Sequence, residues 1–213
     1  MLLLNLLKKD VLIVKKYVRI MLAAAVLIPP FMLWKAPEYT GTFGFILSTV
    51  FCVFMLLQYV SLKEYQFPKA VILLCSAPFS RKMIVLSKYI FCIAVYVVCC
   101  AIYAAETILM PALGTGNGTI FFLMLIVVSA GIGVYLPAQY RIGYEKTRFA
   151  LGVGIMVSPF LLPQLMKIEN MNLSRLSGTC SLLICVGALV LSLIILIVSV
   201  RCSIKFYSEM DLA

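Results

Sequence analysis

Eight carboxylates, eight cysteines and no histidine bound the chemistry open to this 213-residue chain. Without histidine, His-ligated zinc proteases and Ser-His or Cys-His hydrolases are excluded. No G-x-x-x-x-G-K-[ST] run occurs, so the chain does not hydrolyse ATP by the P-loop route. Gly114-Thr115-Gly116-Asn117-Gly118 is glycine-rich but lacks the following Lys-Ser/Thr, and it reads as a turn. Paired-carboxylate catalysis needs two acids at one depth, and the long apolar stretches hold one, Glu106. An ionisable residue in such a stretch is a functional candidate by default. Glu106 is open to contact with a substrate cation, to a proton-coupling role, or to a structural role in which it snorkels to water or pairs with Lys35, Lys167 or Arg175. No catalytic, cofactor or metal site emerges, and an enzyme is not expected.

The elements that must position Glu106 are membrane helices. Hydrophobic residues form 64% of the chain, against roughly 45–50% in ordinary globular proteins, and the mean hydropathy is +1.11. About 20 apolar residues cross the hydrocarbon core as a helix, which satisfies its own backbone polar groups. Six spans are read: 18–34, 43–62, 89–109, 119–137, 149–166 and 177–200. Between them no stretch is long enough for a folded catalytic domain. The first run has a basic leader but no small-x-small cleavage site, and it is read as a retained span rather than a signal peptide.

Charge orients the bundle. Of 18 Lys and Arg, all but Lys35, Lys167 and Arg175 fall on alternate sides of the spans, which puts both termini in the cytoplasm. The net charge of +10 then faces an anionic leaflet, and no nucleic-acid partner is implied. The cysteines lie inside spans or on the reducing side, with no C-x-x-C spacing, and read as small packing residues.

Residues 2–17 place Lys8, Lys9, Lys15 and Lys16 on one side and leucine, valine and isoleucine around the rest, the pattern of a helix lying in the membrane interface. Asp10 and Leu12 break that partition. The cytoplasmic segment 63–88 is the most structured loop. Pro68 suits a helix first turn, 69–76 is a short apolar helix, and Ala77-Pro78-Phe79 stops it. Ser80 can cap a second helix running from Arg81 into the third span. A two-turn apolar helix cannot cross the bilayer, so it must be covered by lipid, by other segments or by another protein. Small residues four apart, Ser129 with Gly133, Ala150 with Gly154 and Gly154 with Ser158, allow close helix approach within the chain or across a dimer. Pro159 and Pro163 break the outer half of the fifth span.

Glu64, Leu73-Leu74, Ser76-Ala77-Pro78, Ser80-Arg81-Lys82, Ile84-Val85 and Lys88-Tyr89 together resemble the cytoplasmic loop of type-2 ABC exporter permeases. The resemblance is to the small six-span branch that includes phenol-soluble modulin exporters and bacteriocin self-protection exporters, with Ala77 where leucine is more usual. It covers nearly the whole chain. It implies an all-α polytopic permease of the bacterial cytoplasmic membrane, six transmembrane helices after an amphipathic interfacial helix, working as a homo- or heterodimer with a second permease subunit. Separate ABC ATPase subunits would bind ATP and Mg, and this chain would hold no cofactor. Helix 69–76 would be the coupling helix, and Glu64, Pro68, Leu73, Leu74, Pro78, Ser80 and Arg81 the ATPase-docking residues. Amphipathic peptides, peptide antibiotics or hydrophobic compounds would move outward, with Glu106 on the substrate path. A proton-coupled efflux transporter using Glu106 and a non-transport membrane scaffold or sensor are the alternatives.

Overall fold

The computed structural model describes residues 2–35, 40–67, 81–110, 118–154 and 179–209, and among these it is helical with no strand. The helices are α1 (Leu2–Ile13), α2 (Lys15–Lys35), α3 (Thr40–Gln66), α4 (Arg81–Leu109), α5 (Gly118–Ile142), α6 (144–154) and α7 (Thr179–Glu209). Among the described residues four stretches are long and apolar enough to cross a membrane: Phe43–Gln66, Lys82–Leu109, Gly118–Ile142 and Cys185–Ser208. These correspond to the second, third, fourth and sixth spans read from the sequence. The first span lies in α2, whose opening turns carry Lys15, Lys16 and Arg19 and whose second half contains Pro29 and Pro30. The fifth span is helical to residue 154, and its remainder, with Pro159 and Pro163, lies outside the described residues.

α3 packs along α2, α5 packs along α7, and α4 touches both pairs. The core they enclose is built from Phe45, Leu56, Leu57, Val85, Tyr89, Ile132 and Leu136. One consequence of this packing is visible at Gly131, where a Cβ would lie 2.2 Å from the Phe54 ring. Only glycine lets α5 come this close to α3. At the end of α5, Gly143 adopts a φ of 96° and donates its N–H to the Gln139 carbonyl at 3.1 Å. This left-handed glycine cap turns the chain into α6.

Several elements differ in extent from the sequence reading. α1, read from the sequence as one helix to residue 17, stops at Ile13, with a turn at Val14 before α2, although Val18 N still donates to the Val14 carbonyl at 2.8 Å. α4, by contrast, runs unbroken from Arg81 to Leu109, as the sequence reading has it. At ~1.5 Å per residue it is longer than the ~30 Å apolar layer needs. α5 continues through Pro137 to Ile142 rather than ending at the proline. Ser129 and Gly133 do mediate close packing, since a Cβ on Gly133 would meet Ile195 of α7 at 3.3 Å. A Cβ on Gly154 would meet nothing within 4 Å among the described residues.

Candidate functional site

The basic end of the bundle, where α1, the end of α3, the start of α4 and the end of α5 meet, contains a cluster of charges withdrawn from solvent. Leu6, Asp10 and Val14 are spaced by four residues and form the buried edge of α1 and its turn. Asp10, which interrupts the basic–apolar partition, therefore faces inward, while Val11, Leu12 and Ile13 are exposed. Ser87 Oγ of α4 lies 3.3 Å from Asp10 Oδ2, and Lys9 Nζ lies 3.1 Å from Asp10 Oδ1. The lysine is near the second oxygen without making an aligned hydrogen bond. Burial pushes the Asp10 carboxyl above the ordinary range, opposed by the Lys9 charge beside it.

The centre of the cluster is Lys88. Its ammonium is 2.5 Å from Glu64 Oε2 at the last turn of α3, and it lies 5.0 Å from the centroid of the Tyr140 ring of α5. Lys88 is only 3% exposed, so its charge rests on Glu64 and on the π-face of Tyr140. Lys9 Nζ completes the group at 4.0 Å from Glu64 Oε1. Three helices are thus bound to the position where segment 67–80 leaves α3 and re-enters α4.

Tyr89, the neighbour of Lys88, points to another side of α4. Its hydroxyl lies 2.5 Å from Ser199 Oγ and 2.8 Å from Ser203 Oγ, both on α7. Ser199 Oγ also donates to the Gly133 carbonyl of α5 at 2.9 Å. Gly133 is four residues before Pro137, which has no N–H to give it. The hydroxyl of α7 therefore takes the place of the missing helical donor. Each hydroxyl has one proton. With that of Ser199 on Gly133, Tyr89 donates to Ser199 and Ser203 donates to Tyr89.

Further contacts brace the same end. Ser61 donates to Gln139 Oε1 at 2.9 Å, and Tyr65 donates to Glu145 Oε1 at 2.8 Å while stacking on Tyr144. Tyr17 of α2 stacks on Tyr59 of α3 at 3.8 Å between ring centroids.

Of the docking residues read from the sequence, Glu64 is joined to Lys88 and so holds the base of the loop rather than presenting a free carboxylate. Arg81 opens α4. Pro68, Leu73, Leu74, Pro78 and Ser80, with the whole of helix 69–76, lie outside the described residues. Glu106 sits at the opposite end of α4, three residues before Leu109. It is 8% exposed, and neither carboxylate oxygen has a hydrogen-bond partner among the described residues. The Lys35 side chain, Lys167 and Arg175, the cations open to it from sequence, lie outside the described residues. Among the described residues no group of three or more His, Cys, Asp or Glu side chains could hold a metal ion.

Sequence reasoning missed the hydroxyl chain of Tyr89, Ser199 and Ser203 and the inward role of Asp10. Signals for both exist: Pro137 marks Gly133 as a carbonyl in need of a donor, two serines four apart mark one face of α7, and Asp10 is an acid out of place on a basic helix.

Comparison with curated proteins and with solved structures gives no significant match. The family model described as ABC-2 family transporter protein matches residues 5–208, nearly the whole chain. That match runs from α1, through the charge cluster flanking segment 67–80, to the last turn of α7, and the chain belongs to the ABC-2 transporter family.

Proposed function

We propose that this chain is the membrane-spanning half of an ATP-driven exporter, one of two permease subunits in a homo- or heterodimer, with ATP and Mg held by a separate ABC ATPase. The observation that carries this reading is the Lys88–Glu64 pair, locked to Asp10 and Lys9 of α1 at the base of segment 67–80. A rigid base is what a force-receiving loop requires. Motion of a docked ATPase would pass into α3 and α4 together instead of being lost in a hinge. In this reading helix 69–76 is the coupling helix and seats Leu73 and Leu74 in a groove of the ATPase, Pro68, Pro78 and Ser80 bound it, and Arg81 starts the lever. α1 lies in the cytoplasmic face of a bacterial cell membrane, with both termini inside, and the chain forms six spans. The likeness to the small branch with phenol-soluble modulin and bacteriocin self-protection exporters supports amphipathic peptides, peptide antibiotics or hydrophobic compounds as cargo.

Replacing both Leu73 and Leu74 with Asp tests the docking. The ATPase should no longer co-purify in mild detergent, while the variant still inserts in the membrane. Continued co-purification would refute the assignment. The unpartnered Glu106 favours one rival, a proton-coupled efflux transporter. Collapsing the proton gradient while ATP is maintained separates the two, since ATP-driven export continues and proton-driven export stops.

A further inference from the structure

Among the described residues Glu106 is the buried carboxylate that no cation serves. Asp10 and Glu64 are within reach of Lys9 and Lys88, and Glu145 accepts from Tyr65. Glu106 has neither oxygen bonded, yet it is turned into the bundle on a helix whose neighbouring Ala105, Ile108 and Leu109 are exposed. A long apolar helix holding a carboxylate inward must meet its desolvation cost with a proton or a cation.

The surroundings favour an organic cation. Tyr103 lies one turn inward on the same face of α4. Its ring centroid is 4.7 Å from that of Phe45 of α3 and 6.1 Å from that of Phe121 of α5, and Phe45 and Phe121 are 5.1 Å apart. Three helices thus contribute one aromatic cluster beside one carboxyl group that has no partner among the described residues. Aromatic faces attract cations and offer apolar area to whatever carries them. An anion would be repelled by the carboxylate. A small inorganic cation would find one carboxylate, where a hard metal ion takes several oxygen ligands. The combination selects a positive group on an apolar body.

We propose that Glu106, with Tyr103, Phe45 and Phe121, forms a binding site for an organic cation, an ammonium or phosphonium group carried on an apolar skeleton. This gives the exporter a substrate class, and it rests on the export reading for the direction of movement alone.

The test uses the purified full chain in lipid nanodiscs and a pair of probes nearly identical in shape and opposite in charge, tetraphenylphosphonium and tetraphenylborate. Saturable binding of tetraphenylphosphonium is expected, about tenfold or more weaker in Glu106→Gln, where the ionic contact is lost, and recovered in Glu106→Asp. Tetraphenylborate should show no saturable binding. Saturable binding of the borate, equal phosphonium binding by Glu106→Gln, or none by the wild-type protein would overturn the proposal. Where Glu106→Gln does not fold, the unaltered protein supplies a second measurement. Tetraphenylphosphonium should protect Glu106 from dicyclohexylcarbodiimide, as read by mass spectrometry, and labelling unchanged by the probe would overturn the site. Reconstitution with the ATPase then separates the two claims. Phosphonium that binds through Glu106 but is not expelled on addition of ATP would sink the export reading and leave the site standing.

Discussion

A carboxylate deprived of its ammonium partner inside a helical bundle keeps its desolvation cost and loses the compensation. Lys88→Met should therefore destabilise the chain by up to about 3–5 kcal/mol, because Glu64 loses its close partner and keeps only Lys9, at 4.0 Å, as counter-charge. The exchange Glu64→Lys with Lys88→Glu should recover much of that loss, and thermal unfolding of both variants in detergent checks it. Asp10 behaves differently, since burial holds its carboxyl above the ordinary range. The penalty for its charge is present at pH above that raised value and disappears as pH falls below it. Asp10→Asn should be at least as stable as the wild type near neutrality, with the gap narrowing on acidification. Stability measured across pH 4 to about 8 would show it, and a gap that widens toward acid would refute the assignment. The residues of this cluster were partly legible in sequence. Glu64 and Lys88-Tyr89 stood out through the loop motif, and Asp10 through its misfit on a basic helix. Which charge meets which depends on how α1 crosses α3 and α4, and no local pattern carries that.

At the scale of the element, the long apolar helices were legible because uncharged runs of such length find a stable place almost nowhere but in lipid. Their ends were not. Proline marks the limit of the fourth span in the sequence, yet α5 passes through Pro137, since Ser199 supplies the donor that the ring removes. That substitution of donor can be measured. Ser199→Ala should cost about 1–3 kcal/mol by orphaning the Gly133 carbonyl. In a Pro137→Ala background the cost should shrink, because the restored N–H reaches the same carbonyl, and a double-mutant cycle on unfolding temperature reads the coupling. The approach of α5 to α3 offers a steric counterpart. Gly131→Ala drives a methyl into the Phe54 ring and should destabilise by about 1–3 kcal/mol. Adding Phe54→Leu, which removes the ring, should reduce the penalty.

For the whole molecule, charge arrangement was the most readable property. Ten described Lys and Arg at the basic end are exposed: Lys8, Lys15, Lys16, Arg19, Lys82, Arg141, Lys146, Arg148, Arg201 and Lys205. The same end carries Cys202, an exposed free thiol. If it faces the cytoplasm, a membrane-impermeant maleimide should label Cys202 in inside-out vesicles and leave it unmodified in intact cells. Labelling from outside would invert the proposed topology. What length and charge could not convey is how firmly the helices are tied to one another. Lys88 and Tyr89 are consecutive, so their side chains leave α4 about 100° apart, one clasping α3 and the other α7. To spin about its own long axis, this rod would have to surrender an ion pair and a hydroxyl chain in the same instant. Lean and slide remain available to it, carrying both neighbours along. Torsion of that single shaft is the movement these two grips oppose.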